Sequence, residues 1–320
     1  MYLRGKRIFG LCAALAGLAL AISHPSWAGE VWVTTMKGAT VQVFDSDSLA
    51  LVATIPADAG AHNVTFSQDG SLAFIANVGA NSATIIDADK KAAVADVPAG
   101  AKTHEVSVSP DGKLAAASNV GTDFVTLIDV ATGQALKDVK TGDGAMMSVF
   151  SSDGGKLYVA NARAESISVV DLQSGEMSDS WQGAEGTMAF VPTRDWTQAW
   201  ATAPVDEKII LIDLDTGSQV AEVAVPGEPH GMVMSPDGTA LYVVQRKLNQ
   251  IAVVDPDDLQ IVKTAPLGKR PDMVTISPDG ESLFVVSRGE DKLYKVSAKD
   301  LSVQAETMTG EEPHGVAYRP

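Results

Sequence analysis

A repeat of fixed length is the feature of this chain that most limits its fold. The stretch HNVTFSQDG, which begins at His62, recurs in related form every 42 residues without insertion or deletion. Seven equivalent positions head these stretches: His62, His104, Met146, Met188, His230, Asp272 and His314. A period near 40 residues is typical of propellers and solenoids, in which each repeat is one supersecondary unit.

Each repeat is predicted to contain four short strands. In the unit that begins at His104, the run VSVS is followed by a Pro-Asp-Gly turn, then by LAAASN, by FVTLIDV and by a fourth run toward Val139. Short runs rich in Val, Ile and Thr between such turns indicate β-strands. Four strands per repeat form one propeller blade, so the predicted fold class is all-β.

The two ends of the repeat region indicate how the ring closes. The stretch from Glu30 to Pro56 supplies three strands of a blade, and the stretch from His314 supplies a single first strand. We therefore expect the C-terminal strand to complete the N-terminal blade, which gives a seven-bladed propeller with four-stranded blades and no free edge.

Two further columns of the repeat are predicted to be structural. An aspartate ends the third strand of most units and is expected to bond the backbone of the following turn. One aromatic residue per second strand is expected to pack in the core. The aspartates are Asp45, Asp87, Asp129, Asp171, Asp213 and Asp255, and the aromatic residues are Trp32, Phe74, Tyr158, Trp200, Tyr242 and Phe284.

The first 28 residues have the pattern of a secretory signal peptide. The basic stretch RGKR begins at Arg4, an apolar stretch follows, and the small-x-small triplet SWA ends at Ala28. We expect cleavage after Ala28 and export to the periplasm or the cell exterior. The mature chain, residues 29–320, is then expected to be one propeller domain without a membrane anchor.

Composition limits the partners and cofactors of this chain. Its net charge of −16 becomes −19 without the three basic residues of the leader, and such acidity opposes binding to nucleic acid or anionic lipid. The single cysteine, Cys12, lies in the leader, so thiolate zinc sites, iron–sulfur clusters and c-type haem are not expected. We expect a monomer. The acidity has two interpretations, either solubility alone or docking of a basic periplasmic redox protein such as a small cytochrome.

The repeat resembles that of the YVTN-repeat β-propeller family. The resemblance is carried by PHGMVMSPDGTALYVV, from Pro229 to Val244, and by LYVAN, from Leu157 to Asn161, and it covers essentially all of the mature chain. It implies an exported propeller. The family is similar to the propellers that hold haem d1 in cytochrome cd1 nitrite reductase and its maturation proteins, and to the propeller of nitrous oxide reductase. Propellers host many unrelated activities, so the resemblance implies a fold rather than a function.

The heads of the first strands form the candidate site. First strands are innermost in a propeller, so these seven positions surround one mouth of the central channel, and they include every histidine after residue 28. We expect His314, His62 and His104, on consecutive blades, to be the core of a ligand site. Imidazole with thioether favours copper, and imidazole with carboxylate favours zinc or non-haem iron. The arc is completed by His230 and Asp272, with Met146 and Met188 opposite, and we favour copper or a haem-type tetrapyrrole as its ligand.

The same histidines admit a purely structural interpretation. Strand alternation places His62 on the face of Val64 and Phe66, where it would pack between blades and bond a backbone carbonyl. Methionines in this column would fill gaps in the core. The sequence leaves both interpretations open.

Basic residues gather in loops that are predicted to open on the same mouth. Arg163, Arg246 and Arg288 follow second strands, and Arg270 precedes a first strand. They are expected to bind the carboxylates of a tetrapyrrole or an organic acid. The alternative is that they form ion pairs with acidic residues of the same loops: Glu165, Glu207 and Asp291.

The sequence contains no motif that predicts an enzyme. It has no nucleophile elbow, no HExxH and no phosphate-binding glycine loop. Three functions remain open. The first is a periplasmic binding propeller whose metal or haem-like cofactor takes part in redox chemistry or cofactor maturation. The second is a cofactor-free interaction scaffold. The third is a lactonase-like hydrolase, which is disfavoured because the ring contains a single aspartate. Trp196 replaces a turn glycine and is expected to be exposed for contact with a partner.

Overall fold

The structure, a computed structural model, describes residues 29–319, so the predicted leader lies outside the described residues. These residues form seven antiparallel four-stranded sheets arranged in a ring, and none of them is helical. Over this range no helix of the length and apolarity needed to cross a membrane is found. The predicted all-β, seven-bladed propeller is confirmed.

The strands are numbered in chain order. Blade 1 has the order β28-β1-β2-β3, and blades 2 to 7 each take four successive strands from β4 onward. The strands are β1 (Glu30–Thr35), β2 (Thr40–Asp45), β3 (Leu51–Pro56), β4 (Ala61–Phe66), β5 (Leu72–Asn77), β6 (Ser82–Asp87), β7 (Ala92–Pro98), β8 (Thr103–Val108), β9 (Leu114–Asn119), β10 (Phe124–Asp129), β11 (Gln134–Lys140), β12 (Ala145–Phe150), β13 (Lys156–Asn161), β14 (Ser166–Asp171), β15 (Glu176–Gln182), β16 (Phe190–Pro192), β17 (Gln198–Ala203), β18 (Lys208–Asp213), β19 (Gln219–Ala224), β20 (Pro229–Met234), β21 (Leu241–Gln245), β22 (Gln250–Asp255), β23 (Gln260–Pro266), β24 (Pro271–Ile276), β25 (Ser282–Ser287), β26 (Lys292–Ser297), β27 (Val303–Met308) and β28 (Pro313–Arg319).

The C-terminal strand closes the ring, as predicted. Strand β28 pairs with β1, with Trp32 opposite Ala317. The Arg319 guanidinium then reaches into blade 2, where Nε donates to the carbonyl oxygen of Gly70 at 2.7 Å and Nη1 donates to that of Ala88 at 3.0 Å. The closing strand is thus fixed to its own blade and to the next one.

The two structural columns also lie where the sequence places them. The aromatic residues of the second strands are all buried in the clusters between blades, with Trp32 and Trp200 among the largest fully buried side chains. The aspartates accept hydrogen bonds from turn amides, as Asp129 Oδ1 does from the Thr132 amide at 2.8 Å. The other five, namely Asp45, Asp87, Asp171, Asp213 and Asp255, repeat this contact.

A β-bulge at the head of the first strand positions the candidate site. In blade 3, Thr103 is opposite Asn119 but Glu105 is opposite Ser118, so His104 is an extra residue in the ladder. Equivalent register shifts occur in blades 1, 2, 4, 6 and 7. A bulge re-aims a side chain relative to its strand, so the simple alternation that paired His62 with Val64 does not hold here.

Candidate functional site in the propeller channel

Four histidines and one aspartate meet where the first strands begin. The ring centroids of His62 and His314 are 3.6 Å apart, those of His62 and His104 are 4.2 Å apart, and those of His230 and His314 are 5.7 Å apart. Each imidazole is buried, and the Asp272 side chain between His230 and His314 has no exposed surface. The structure therefore brings five of the seven column residues into one cluster, which we call the histidine cluster.

Three of the imidazoles bond the backbone of the next blade. Nδ1 of His62, His104 and His230 lies 3.0 Å from the carbonyl oxygen of the equivalent residue one blade onward, which is His104, Met146 and Asp272 respectively. A carbonyl only accepts, so Nδ1 carries the proton and Nε2 keeps its lone pair. Within residues 29–319 these Nε2 atoms have no hydrogen-bond partner, and they are not among the fully enclosed unpartnered atoms. The histidine cluster thus presents basic nitrogen atoms to the channel.

The glycine that follows His230 and His314 allows this close approach. A Cβ atom at Gly231 would lie 2.7 Å from the Met273 Cα atom in the next blade, and one at Gly315 would lie 2.7 Å from the His62 carbonyl oxygen. Both distances are below any real contact of a Cβ atom. The His-Gly pair therefore has a structural cause, since only glycine lets the first strands of adjacent blades come this near.

Asp272 is the centre of the polar contacts in the histidine cluster. Its Oδ1 atom accepts from Arg246, through Nε at 2.5 Å and through Nη2, and lies 3.3 Å from Nδ1 of His230. Its Oδ2 atom lies 3.7 Å from Nε2 of His314 and 3.9 Å from Nη1 of Arg288. One carboxylate thus lies between two imidazoles and beside two guanidinium groups.

His314 departs from the pattern of its equivalents. The Thr34 hydroxyl donates to the His62 carbonyl oxygen at 2.6 Å and accepts from the Gly315 amide at 2.8 Å. The His62 carbonyl oxygen, which would accept from His314 if the pattern held, is thus already bonded to Thr34. The His314 ring instead has Nε2 toward Asp272. Nδ1 of His314 and Oδ2 of Asp272 are both buried without a hydrogen-bond partner among the described residues.

Burial keeps the imidazoles neutral. Loss of solvation lowers the pKa of His62, His230 and His314 well below 6.5, and nearby cationic groups including Arg246 lower it further. Burial also lowers the pKa of His104, to about 4. Loss of solvation lowers the pKa of Arg246 to about 9, so its guanidinium still carries a charge at pH 7. At neutral pH the site holds uncharged bases next to charged guanidinium groups.

The predicted basic mouth is only partly formed by the expected residues. Arg246 and Arg288 face Asp272, and Arg288 also bonds Glu312 at 3.2 Å. Arg163 instead forms an exposed ion pair with Asp143 at 2.6 Å. Arg270 is exposed and has no ion pair with any residue of the range 29–319, while its amide donates to the Asn249 side chain. The expected partners, Glu165, Glu207 and Asp291, form none of these pairs, because other acids lie closer.

The three residues whose donor atoms lie closest together are not the three expected. Among residues 29–319, one group of His, Cys, Asp and Glu brings its donor atoms within 4.8 Å of one another, and it consists of His230, Asp272 and His314. His62 and His104 lie beside this group. Met146 contributes its carbonyl oxygen to His104, and Met188 is buried ahead of the short strand β16. The sequence showed Arg246 only as one of several basic residues and did not indicate that it binds Asp272.

A metal ion fits this donor group better than a tetrapyrrole does. Two imidazoles and one carboxylate are a common set for zinc and non-haem iron, and the two unpartnered buried atoms belong to this set. Arg246 competes for one carboxylate oxygen. The rings of His62 and His314, with centroids 3.6 Å apart, leave no space between them for a macrocycle, which would have to lie across the outer face of the cluster.

Comparison with known proteins assigns the family. The sequence profile of the seven-bladed β-propeller lactonases matches residues 39–304. The chain belongs to that family. No match is found among curated protein sequences. The YVTN-repeat family named from the repeat motif is not the family matched.

Solved structures show the same fold at low identity. The periplasmic gluconolactonase PpgL of Pseudomonas aeruginosa is similar with a TM-score of 0.77 and 17% identity over 91% of this chain and 99% of that one. Hydrazine synthase of Kuenenia stuttgartiensis has a TM-score of 0.74 and 19% identity over 83% and 91% of the two chains. The dihydro-haem d1 dehydrogenase NirN, solved in complex with DHE, has a TM-score of 0.68 and 17% identity over 91% and 75%. At these identities the likeness establishes the fold alone.

A second group, Glu105 and Trp196, was not recognised as a possible site from the sequence. Glu105, next to His104, is buried and lines a cavity at the other end of the channel, together with Trp196. The expectation that Trp196 is exposed is wrong, because its ring is half-buried and packs on the core between blades 4 and 5. The sequence signal was present, since both residues depart from what other repeats carry at these positions.

Proposed function

We propose that this chain hydrolyses a lactone at the histidine cluster. One observation carries the proposal. Nδ1 of His230 is held by the carbonyl oxygen of Asp272 at 3.0 Å and lies 3.3 Å from its carboxylate, which leaves Nε2 as a free base beside Arg246 and Arg288. An oriented base next to fixed cations is the arrangement that acyl transfer requires.

In this mechanism neutral His230 acts as general base. Its Nε2 takes a proton from a water molecule, whose oxygen attacks the carbonyl carbon of the lactone. Negative charge develops on the carbonyl oxygen, and the guanidinium groups of Arg246 and Arg288 stabilise it. The ring C–O bond then breaks, and the leaving alkoxide receives the proton from His230. The product is the open hydroxy acid, so one water molecule is consumed and no other reactant is needed.

Asp272 is a positioning residue in this scheme. Its carboxylate fixes the orientation of Arg246 and lies next to the Nδ1–H group of His230. A carboxylate in this position also stabilises the imidazolium that forms when His230 takes a proton. The residue therefore couples the base to the group that binds the oxyanion.

The exposed Arg270 favours a substrate that carries its own negative charge. Arg270 has no acidic partner among residues 29–319, yet it is close enough to lower the pKa of His230 and Arg246. A carboxylate or phosphate on the lactone would find a free guanidinium there. Among the similar structures, one is a gluconolactonase and another is a possible 6-phosphogluconolactonase of Bacteroides fragilis, which supports a sugar-acid lactone as substrate class.

The test compares charged and uncharged lactones. Residues 29–320 are purified, and acid release from glucono-δ-lactone and from 6-phosphoglucono-δ-lactone is followed against the spontaneous rate. We expect faster turnover of the phosphorylated lactone, and we expect Arg270→Gln to raise its KM about 10-fold or more, since a charge-assisted hydrogen bond contributes about 1.5–3 kcal/mol. Arg163→Gln is the matched control, because Arg163 is paired with Asp143. Rates no higher than the spontaneous ones with both lactones would refute the proposal.

A metal site is the second candidate, and the two unpartnered atoms favour it. Oδ2 of Asp272 and Nδ1 of His314 are buried without partners, in the same group whose donor atoms lie within 4.8 Å. His230, Asp272 and His314 would hold the ion, and zinc or iron suits this set better than copper does. A bound ion would supply a Lewis acid or a redox centre to the channel. A haem-type cofactor, for which NirN is the structural precedent, would be contacted by Arg270 and Arg288.

Metal analysis separates the two candidates. The protein is purified without a metal-affinity tag and titrated with Zn²⁺, Fe²⁺ and Cu²⁺, and absorbance is recorded for haem. The metal candidate requires about one ion per chain, lost in Asp272→Asn and kept in His104→Gln, which lies outside the donor group. Hydrolysis that persists in metal-free protein supports the first candidate. If the protein shows neither hydrolysis nor metal or haem binding, the interaction scaffold is the remaining function. A basic redox protein would then be the first partner to test.

We also propose that the chain is exported. The support is the order of residues 1–28, in which a basic start, an apolar stretch and a small-x-small triplet follow one another. N-terminal sequencing of the protein from a cell-envelope extract should give Gly29 as the first residue, whereas an intact Met1 on cytosolic protein would refute export.

A further inference from the structure

A cavity at the other mouth of the channel contains one buried acid. Its volume is about 530 Å³, and it lies among the C-terminal halves of the first strands of blades 2 to 5, so none of the four histidines lines it. Its lining includes four aromatic side chains, Phe66, Phe150, Phe190 and Trp196, together with Met147. Glu105 is the only residue with an ionisable acid or base in this lining. We call it the Glu105 cavity.

Glu105 is held so that one carboxyl oxygen remains available. Its Oε2 atom accepts from the Ser148 amide at 3.1 Å and from the Ser148 hydroxyl at 3.3 Å. The hydroxyls of Ser107 and Ser118 lie 2.8 and 3.0 Å from that of Ser148 and complete the chain of bonds. Oε1 has no hydrogen bond to the described residues and is not enclosed by them. The side chain is only 5% exposed, so this oxygen can meet only what enters the cavity.

No cation within residues 29–319 compensates this acid. Strands β4, β5, β6, β9 and β12 pack against β8, and the ionisable residues on them are His62 on β4 and Asp87 at the outer end of β6. His62 and its neighbour His104 on β8 itself are kept neutral by burial, which lowers the pKa of both. Burial raises the pKa of Glu105 to about 8, so its carboxyl group is uncharged at pH 7 when nothing is bound. An uncompensated buried acid is costly and is typical of functional sites.

The backbone at Trp196 is also unusual. Gly70, Gly112, Gly154, Gly238 and Gly280 occupy the equivalent turn in other blades with positive φ, and Trp196 has φ 58° there. Residues with a side chain are disfavoured in this conformation. A large side chain gains no stabilisation from it in the turn itself. The indole is instead partly buried over the Glu105 cavity. The turn thus places an aromatic face at the cavity where the other blades have glycine.

We propose that the Glu105 cavity binds an organic cation, an ammonium group with an apolar body, whose charge is met by the Glu105 carboxylate and by the aromatic faces. An acid at the inner end, an aromatic and thioether wall and the lack of any basic residue in the lining together select a cation over an anion. The apolar body fills the part of the cavity lined by Phe66, Phe190 and Met147. The Glu105 cavity is separate from the histidine cluster, so this inference does not depend on the hydrolase proposal.

The test uses benzyltrimethylammonium, whose charge does not change with pH. Its binding to residues 29–320 is measured by calorimetry and by tryptophan fluorescence between pH 6 and 9. Because Glu105 must lose its proton to meet the cation, the association constant should rise about 10-fold per pH unit up to about pH 8 and then level off. The wild-type profile alone decides this point, even if a variant does not fold.

Variants assign the effect to the cavity. Glu105→Gln keeps the size of the side chain and should bind the probe at least 10-fold more weakly at pH 8, without pH dependence. Trp196→Ala should weaken binding at every pH, and Glu176→Gln, an exposed residue of β15, is the matched control. Binding that does not change between pH 6 and 9, or that is as tight in Glu105→Gln as in the wild type, would show a merely apolar cavity and overturn the proposal. Failure of the probe to bind at any pH in this range would overturn it as well.

Discussion

Nδ1 of His62 lies 3.0 Å from the backbone carbonyl oxygen of His104, its equivalent in the next blade. The contact is repeated from His104 to Met146 and from His230 to Asp272. This contact is compatible with both the structural and the functional interpretation of the histidines at the heads of the first strands. Each ring stabilises the contact between two blades through Nδ1, and it still presents Nε2 to the channel.

The neutral state of His104 predicts how stability depends on pH. In the fold the pKa of His104 is about 4, below its value of about 6.5 in the unfolded chain. As the pH falls below 6.5 the unfolded chain takes up a proton that the folded chain does not. The free energy of unfolding therefore falls until about pH 4, by about 3 kcal/mol for this residue. Urea unfolding at pH 7 and pH 4.5 should show a smaller loss in His104→Gln than in the wild type. Equal losses in the two proteins would contradict the assignment.

Glu105 predicts the opposite dependence at higher pH. Burial raises its pKa to about 8, so between pH 4.5 and 8 the unfolded chain loses a proton that the folded chain keeps. The free energy of unfolding falls over this window. Glu105→Gln should then be more stable than the wild type by about 3 kcal/mol at pH 7, and by much less at pH 4.5. A variant that is destabilised at pH 8 would show that the Ser148 contacts outweigh the burial of the acid.

The turn at Trp196 allows the cost of its backbone to be measured. Trp196→Gly and Trp196→Ala remove the same indole, but only glycine adopts φ 58° without strain. Trp196→Gly should be the more stable of the two by about 1 kcal/mol in urea unfolding. Gly112→Ala is the converse control, because a Cβ atom at Gly112 would meet no atom within 4 Å and the substitution tests strain alone. A Trp196→Ala protein as stable as Trp196→Gly would contradict the strain.

Removal of the closing strand should open the ring. Deletion of residues 312–320 removes β28, the pairing with β1 and the Arg319 contacts to blade 2. It leaves β1 as an unpaired edge, which promotes aggregation. We expect a large fall in the melting temperature and a rise in light scattering on heating. Melting that matches the full chain would mean that closure contributes little.

The fold followed from the sequence because the repeat is free of insertions. A fixed period of 42 residues determines the blade count, the strand order and the closing strand, and the aromatic and aspartate columns confirm the register residue by residue. These are local or periodic features, which a single sequence displays directly.

The site followed only in part, because its geometry depends on contacts between blades. The column heads were identified, but the bulge at the head of the His62 strand breaks the alternation from which the direction of His62 was judged. Two contacts depend on how loops of adjacent blades meet. Arg246 binds Asp272, and Trp196 turns inward over Glu105. Such contacts do not recur at a fixed spacing along the chain. The residues could therefore be identified from the sequence, but not which of them contact one another.

The most direct test of the proposed function is the effect of one imidazole on lactone hydrolysis. The kcat/KM for 6-phosphoglucono-δ-lactone is measured from pH 5 to 8 for the wild type, His230→Gln and the control Arg163→Gln. A positioned general base contributes about 10²–10⁴-fold, so His230→Gln should lose activity in that range while the control keeps it. The wild type should also stay active below pH 6.5, since burial lowers the pKa of His230. Hydrolysis by His230→Gln at the wild-type rate, or none by the wild type, would contradict the account.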